Sequence, residues 1–190
     1  MKQESGFTLV ELMVTVSVVA ILLALAVPGF QSFLVGNNLA SSSASFLSTV
    51  NYARSEAVKR SMTVTICPSA DGATCTGTWS NGWITFVDTN ANGSANAGET
   101  VLRAHPALTS SYSAASTLQD SSGNSVSYIS YARNGLANDT GTVAICYQND
   151  TSQSQAITIT LTRPRIAPDT NGDGIPNKES GSNITSCANP

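Results

Sequence analysis

From Phe7 to Val35 the chain reads FTLVELMVTVSVVAILLALAVPGFQSFLV, and Glu11 is the sole ionisable residue in that run. A helix needs ~20 largely apolar residues to cross a bilayer, so this stretch is long enough to do so. A removable secretory signal has an apolar core of only ~7–15 residues before its cleavage site, and the run exceeds that pattern. A charge at the centre of a membrane helix costs ~2.5–3.5 kcal/mol even on insertion scales. Glu11 lies near one end, where snorkelling lowers the cost. It reads either as a snorkelling carboxylate in a plain anchor or as a functional acid that awaits a cation. Pro28 lacks a backbone N–H and crowds the turn before it, so a bend or loosening is expected over 24–29.

Beyond Gly36 the composition turns polar while helical spacing persists. Leu39, Phe46, Val50, Ala53 and Ala57 recur at threes, fours or their sums, which predicts an amphipathic continuation ending near 59–61. Glu56 and Arg60 stand in the i,i+4 order that supports a helix. A helix from Phe7 to Arg60 would be ~80 Å long at 1.5 Å per residue.

The remainder reads as short strands at 62–67, 82–87, 99–103, 126–131, 142–147 and 156–161, rich in β-branched and aromatic residues and bounded by turn formers. The segments 104–124 and 167–190, rich in Ser, Asn, Gly and Pro, read as irregular surface. With 41% hydrophobic and 11% charged residues the chain falls outside the disordered class. A net charge of -3 excludes a protein that coats nucleic acid over its whole surface, so any such contact must be local. One His and four Cys, without C-x-x-C or H-x-x-x-H, do not make a zinc site of ordinary spacing or a redox pair. No GxSxG, HExxH or phosphate loop is present and His105 stands alone before Pro106, so no enzyme is expected.

Gly6, then Phe7-Thr8-Leu9-Val10-Glu11, then an apolar helix containing Pro28, closely resembles the class III signal of type IV pilins and pseudopilins. Further on, Tyr52-Ala-Arg-Ser-Glu-Ala-Val-Lys-Arg60, Val64-Thr-Ile-Cys67, Gly82-Trp-Ile-Thr-Phe-Val-Asp-Thr-Asn90 and Gly98-Glu99 resemble the GspH/FimT family of minor pilins and pseudopilins. The resemblance implies an α+β type IV pilin fold, in which a long N-terminal helix, part membrane and part amphipathic, packs on an antiparallel β-sheet domain. It implies a prepilin leader at 1–6, a transmembrane and assembly half at 7–36, an amphipathic half at 37–61 and a periplasmic β-rich domain at 62–190 with a disulfide-closed tail. Prepilin peptidase would cut between Gly6 and Phe7 and N-methylate Phe7. Glu11 would pair with the new terminal amine of a neighbouring subunit, and the Pro28 stretch would loosen on filament packing.

The four cysteines allow three connectivities. Cys67 and Cys75 flank a loop that a disulfide can close, which leaves Cys146 with Cys187; tail closure of that kind resembles many pilins. Pairing of Cys67 with Cys146 is the alternative. The even count suits an oxidising compartment.

Two loops carry calcium-type spacing. Asp88, Asn90, Asn92 and Glu99 fit it, but they join predicted strands, and Asn-Gly turn chemistry explains the same letters and is preferred. Asp169, Asn171, Asp173, Ile175, Asn177 and Glu179 bring three carboxylates; a solvated acidic tail explains them equally well. No cofactor is required, and calcium is the ion these loops would suit. Finally, Thr162-Arg163-Pro164-Arg165 resembles the Gly-Arg-x-Arg motif of DNA-binding minor pilins, with Thr162 in place of the Gly. A solvated sheet edge, where Pro164 and the charges discourage strand addition, is the preferred reading; if DNA binds, Arg163 and Arg165 hold it, with Lys178 assisting.

The reading is therefore a minor type IV pilin that helps initiate or cap pilus assembly, with a role in DNA uptake at the tip as an extension. Its expected partners are prepilin peptidase, other minor pilins or pseudopilins, the major pilin, inner-membrane lipid before assembly, and DNA. It would sit in the inner membrane with its N-terminus in the cytoplasm, then in a surface filament. The alternatives are an H-type pseudopilin of type II secretion and a membrane-anchored calcium-binding module.

Overall fold

A computed structural model of the chain describes residues 6–178, 180–188 and 190, with the side chain of Pro28 excepted. Met1 to Ser5 of the expected leader, and Glu179 of the second calcium-type loop, lie outside the described residues. The chain forms two compact units, Met1–Asn37 and Asn38–Pro190, and each is described by itself.

A single helix, α1 (Leu9–Arg60), begins in the first unit and ends in the second. It is helical throughout 24–29, so Pro28 does not interrupt it, although its missing N–H predicted loosening there. Thr8 opens the helix: its hydroxyl accepts a hydrogen bond from the Glu11 N–H at 3.3 Å, and Thr8-x-x-Glu11 is the spacing of a capping box. In the first unit every described side chain from Phe7 to Leu34 is exposed.

In the second unit the helix buries a seam made of Leu39, Ser43, Phe46, Val50, Ala53 and Ala57 at alternating spacings of four and three. Phe46 meets Trp79 and Trp83 edge-on, at centroid distances of 5.4 and 5.1 Å. The Trp83 indole N–H donates to the Thr49 hydroxyl at 3.3 Å, so the polar end of this buried ring is satisfied. At the helix end Glu56 receives Arg60 at 2.6 Å and Lys59 at 3.4 Å.

Two antiparallel sheets follow. The first contains β1 (Val64–Pro68), β2 (Trp83–Val87), β3 (Val101–His105) and, after two strands of the other sheet, β6 (Ile129–Tyr131), in the order β3-β2-β1-β6. The second contains β4 (Tyr112–Gln119), β5 (Ser125–Val126), β7 (Thr140–Tyr147), β8 (Asp150–Ile159) and β9 (Arg165–Ile166), in the order β5-β4-β7-β8-β9. Strands β1 and β2 are buried on both faces, which their continuous apolar and Thr-rich sequence requires.

Two features differ from the sequence expectation. The segment 104–124, expected to be irregular, contains β4, which pairs with β7 residue by residue from Tyr112↔Tyr147 to Gln119↔Thr140. Its buried positions Tyr112, Ala114 and Leu118 alternate, but small and polar residues at the intervening positions hide the period of two. The expected single strand at 126–131 is split. Val126 belongs to the second sheet, and Ile129 opens a strand of the first, so two residues carry the chain between sheets.

Candidate functional site

The N-terminal features cluster at the start of α1. Gly6, Phe7 and Thr8 precede the helix in extended or irregular backbone, and the Phe7 side chain is 80% exposed. Glu11 occupies the third helical position, where a carboxylate faces the partial positive charge of the helix N-terminus. Among the described residues its carboxylate meets no cation: the ion pairs there are Glu56 with Lys59 and with Arg60. The capping role of Thr8 is a signal that the Thr-x-x-Glu spacing carries in the sequence. Phe30 and Phe33 stack at 6.5 Å on the exposed surface of the same unit.

A contiguous, exposed apolar helix of this length has no folded-state justification in water. It needs lipid or other apolar helices around it.

The four cysteines form two disulfides, one closing a short loop and one a long one. Cys67 joins Cys75, and Cys146 joins Cys187, with Cα separations of 5.5 and 6.0 Å. The second draws the tail over the second sheet, where Ala167, Ile184 and Cys187 are buried with Ala144, Cys146 and Ala156.

The two calcium-type loops are occupied by their own hydrogen bonds. Asp88 is buried; its carboxylate accepts from the Thr65 hydroxyl at 2.8 Å and from the N–H groups of Asn92 and Gly93 at 3.1 and 2.9 Å. Glu99 accepts from the N–H and hydroxyl of Thr89 and from the Asn96 N–H. Burial opposes ionisation of Glu99, but these donors outweigh it and hold the carboxyl below its usual range. In the tail, Asp169 accepts from the N–H groups of Gly172 and Gly174, while Asp173 accepts from the Asn183 and Asn171 amides and from Ile175 N–H. The Asn183 amide, foremost, holds Asp173 below the ordinary carboxylate range. Asn177 instead turns its carbonyl to Thr170. Asn90 accepts from the Asn92 N–H and Asn92 from the Ser94 N–H, so these side chains also serve the turn. Among the described residues no group of three or more His, Cys, Asp or Glu side chains is placed to hold a metal ion.

Arg163 and Arg165 flank buried Pro164 at the outer edge of the second sheet, where β9 pairs only with β8. The turn before them is closed by Thr160, whose hydroxyl donates to the Arg163 carbonyl at 2.7 Å and accepts its N–H at 3.2 Å. Both arginines line an open concavity of ≈ 520 Å³ together with Thr160, Thr162 and Arg54. Arg54 comes from α1, and the sequence reading had not connected it with this motif. Lys178 lines a different concavity, beside β4, β5 and β7, so the expected assistance from Lys178 finds no support in the geometry. His105 is held structurally: it stacks on Trp83 at 3.9 Å and bonds the Ser45 hydroxyl at 3.1 Å.

Comparison with known proteins adds four findings. Residues 42–163 match the family model described as type II transport protein GspH. Residues 1–27 match the prokaryotic N-terminal methylation motif. No curated protein matches the chain. The structure is similar to the type IV minor pilin FimU of Pseudomonas aeruginosa strain PAO1 in two crystal forms. The first gives a TM-score of 0.52 at 25% identity over 80% of this chain and 96% of that one. The second gives 0.51 at 24% identity over 78% and 99%. With its methylation motif, its long N-terminal helix and its antiparallel sheets, this chain belongs to the GspH/FimT family of minor pilins and pseudopilins and has the type IV pilin fold.

Proposed function

We propose that the chain is a minor type IV pilin that prepilin peptidase cuts between Gly6 and Phe7 and methylates at Phe7, and that it then helps initiate or cap pilus assembly. The observation that carries this reading is the exposed apolar helix that starts at Leu9, inside the methylation motif at residues 1–27. Before assembly the helix rests in the inner membrane with its N-terminus in the cytoplasm; afterwards neighbouring pilin helices replace lipid around it. The new amine of Phe7 is the cation that Glu11 of an adjacent subunit meets. Mass spectrometry of the mature N-terminus tests the first step: intact Met1 in cells with active prepilin peptidase would refute it.

The match to a family described as type II transport protein favours a second reading, an H-type pseudopilin. Deletion separates the two. Loss of piliation and twitching supports the pilin, whereas loss of exoprotein release with normal piliation supports the pseudopilin.

DNA capture by Arg163 and Arg165 belongs to the pilin reading. It is supported by the concavity these two residues line, in which no carboxylate takes part. Gel shifts at low salt test it, and an unshifted duplex would end it.

A further inference from the structure

We infer that Arg54 is the central cation of a phosphodiester-binding track that runs from the β9 edge onto the helix, an inference that rests on the DNA reading above. Arg54 lines two adjoining concavities. One holds Arg163, Arg165, Thr160 and Thr162; the other holds Asn51, Ser55, Val58 and Lys59. It is the residue the two share, so a polyanion passing from one to the other must cross its guanidinium. The donor set suits phosphate oxygens: three arginine forks, a lysine and several hydroxyl or amide groups, with no carboxylate lining either hollow. Glu56, the acid nearest in sequence on the helix, is already paired with Lys59 and Arg60.

Arg54 is also held in position. Its Nε–H donates to the Gly135 carbonyl at 2.9 Å, which leaves the terminal nitrogens of the fork for a ligand. Gly135 has φ +77°, and a Cβ there would lie 2.9 Å from Val58 Cγ2 and 3.5 Å from Arg54 Nε. Any other residue type would be strained at that φ and would press on Val58, which shares the second hollow with Arg54.

The test uses the full chain in neutral detergent and a fluorescein-labelled 24-base-pair duplex, read by anisotropy from 25 to 200 mM salt. Arg54→Ala should weaken binding roughly tenfold and reduce the salt slope by about 0.9, the signature of one lost phosphate contact. Arg54→Lys keeps the charge without the fork and should recover the slope but only part of the affinity. Arg103→Ala, a change outside both hollows, controls for general loss of positive charge. Near-ultraviolet circular dichroism checks the fold of each variant. If Arg163→Ala, Arg165→Ala abolishes binding while Arg54→Ala retains the parent affinity and slope, the track is refuted and the two-arginine site stands. If the parent chain does not bind the duplex at 25 mM salt, the DNA reading and the track fall together.

Discussion

Removing the tail disulfide should cost the second unit more than removing the loop disulfide, and the difference can be estimated from the connectivity. Cys146–Cys187 links residues 41 apart and Cys67–Cys75 links residues 8 apart. The chain-entropy relation assigns them about 3.9 and about 2.5 kcal/mol at 25 °C. Local contacts narrow the gap. Cys75 Sγ accepts a hydrogen bond from the Ala95 N–H at 3.2 Å, and losing that contact adds about 0.5 kcal/mol to the cost of the short loop. The tail pair lies among apolar side chains, so removing both sulfurs strands no donor there. Paired Cys→Ala variants should therefore differ by about 1 kcal/mol, the 146/187 pair being the weaker. At ~2–4 °C per kcal/mol, Tm should fall by ~8–16 °C for the tail pair and ~6–12 °C for the loop pair. Both tryptophans of the chain, Trp79 and Trp83, are buried in this unit, so their fluorescence reports its unfolding directly. Full chain in neutral detergent, heated in parallel for parent and both variants, provides the assay. A larger loss for the 67/75 variant would show that the chain-entropy reasoning fails here.

Other consequences are open to measurement. Gly141→Ala should destabilise the unit by at least ~3 kcal/mol, because φ is +147° and the added Cβ would run into the Thr117 carbonyl of the paired strand; a Tm within ~3 °C of the parent would contradict this. Glu11→Ala should leave membrane insertion intact while subunit recruitment into filaments drops at least tenfold by immunoblot; unchanged recruitment would count against the Glu11–amine pairing. Stability should fall as pH drops below ~4.5, since Glu99, Asp71 and Asp173 have folded-state pKa values below their unfolded ones, and their contribution is present above the unfolded value and lost on protonation. Asp139 acts in the opposite sense: burial raises its pKa despite bonds from Ser130, so its ionisation costs stability as pH rises, and a flat Tm profile from pH 6 to 3 would show that the first group does not dominate. Millimolar calcium should shift Tm by less than about 1 °C, because the carboxylates of both calcium-type loops already hold loop N–H groups; a rise of several degrees would overturn that view.

How much of this was legible in the sequence depended on whether a signal was local. The helix declared itself because its determinants, an apolar run and then a three-four spacing through Phe46, Val50, Ala53 and Ala57, lie within one or two turns of each other. Strands β1, β2 and β7 were visible for a similar reason, being buried and β-branched over their lengths. Strand β4 was not. Its Ser and Ala residues have little strand preference of their own, and it exists because β7 supplies a partner along its whole length. The two-residue break between β5 and β6 is likewise a product of tertiary pairing, since Val126 answers Leu118 while Ile129 answers Ile66.

The same distinction divides the candidate site. A motif reading sees Arg163 and Arg165 because they stand two apart, but it gives them only a solvated edge or a pair of cations. Arg54 reaches them because the helix seam is buried against the sheets through Ala53 and Ala57, which turns the intervening position toward the β9 edge, and because the tight turn at Gly135 supplies a carbonyl for its Nε. The seam is written beside Arg54, but the turn at Gly135 lies 81 residues away. A charge pair inferred from spacing thus becomes a three-arginine concavity only once the packing of the helix beside the β9 edge and the positive-φ turn are known, and the salt slope of Arg54→Ala measures what that added cation contributes.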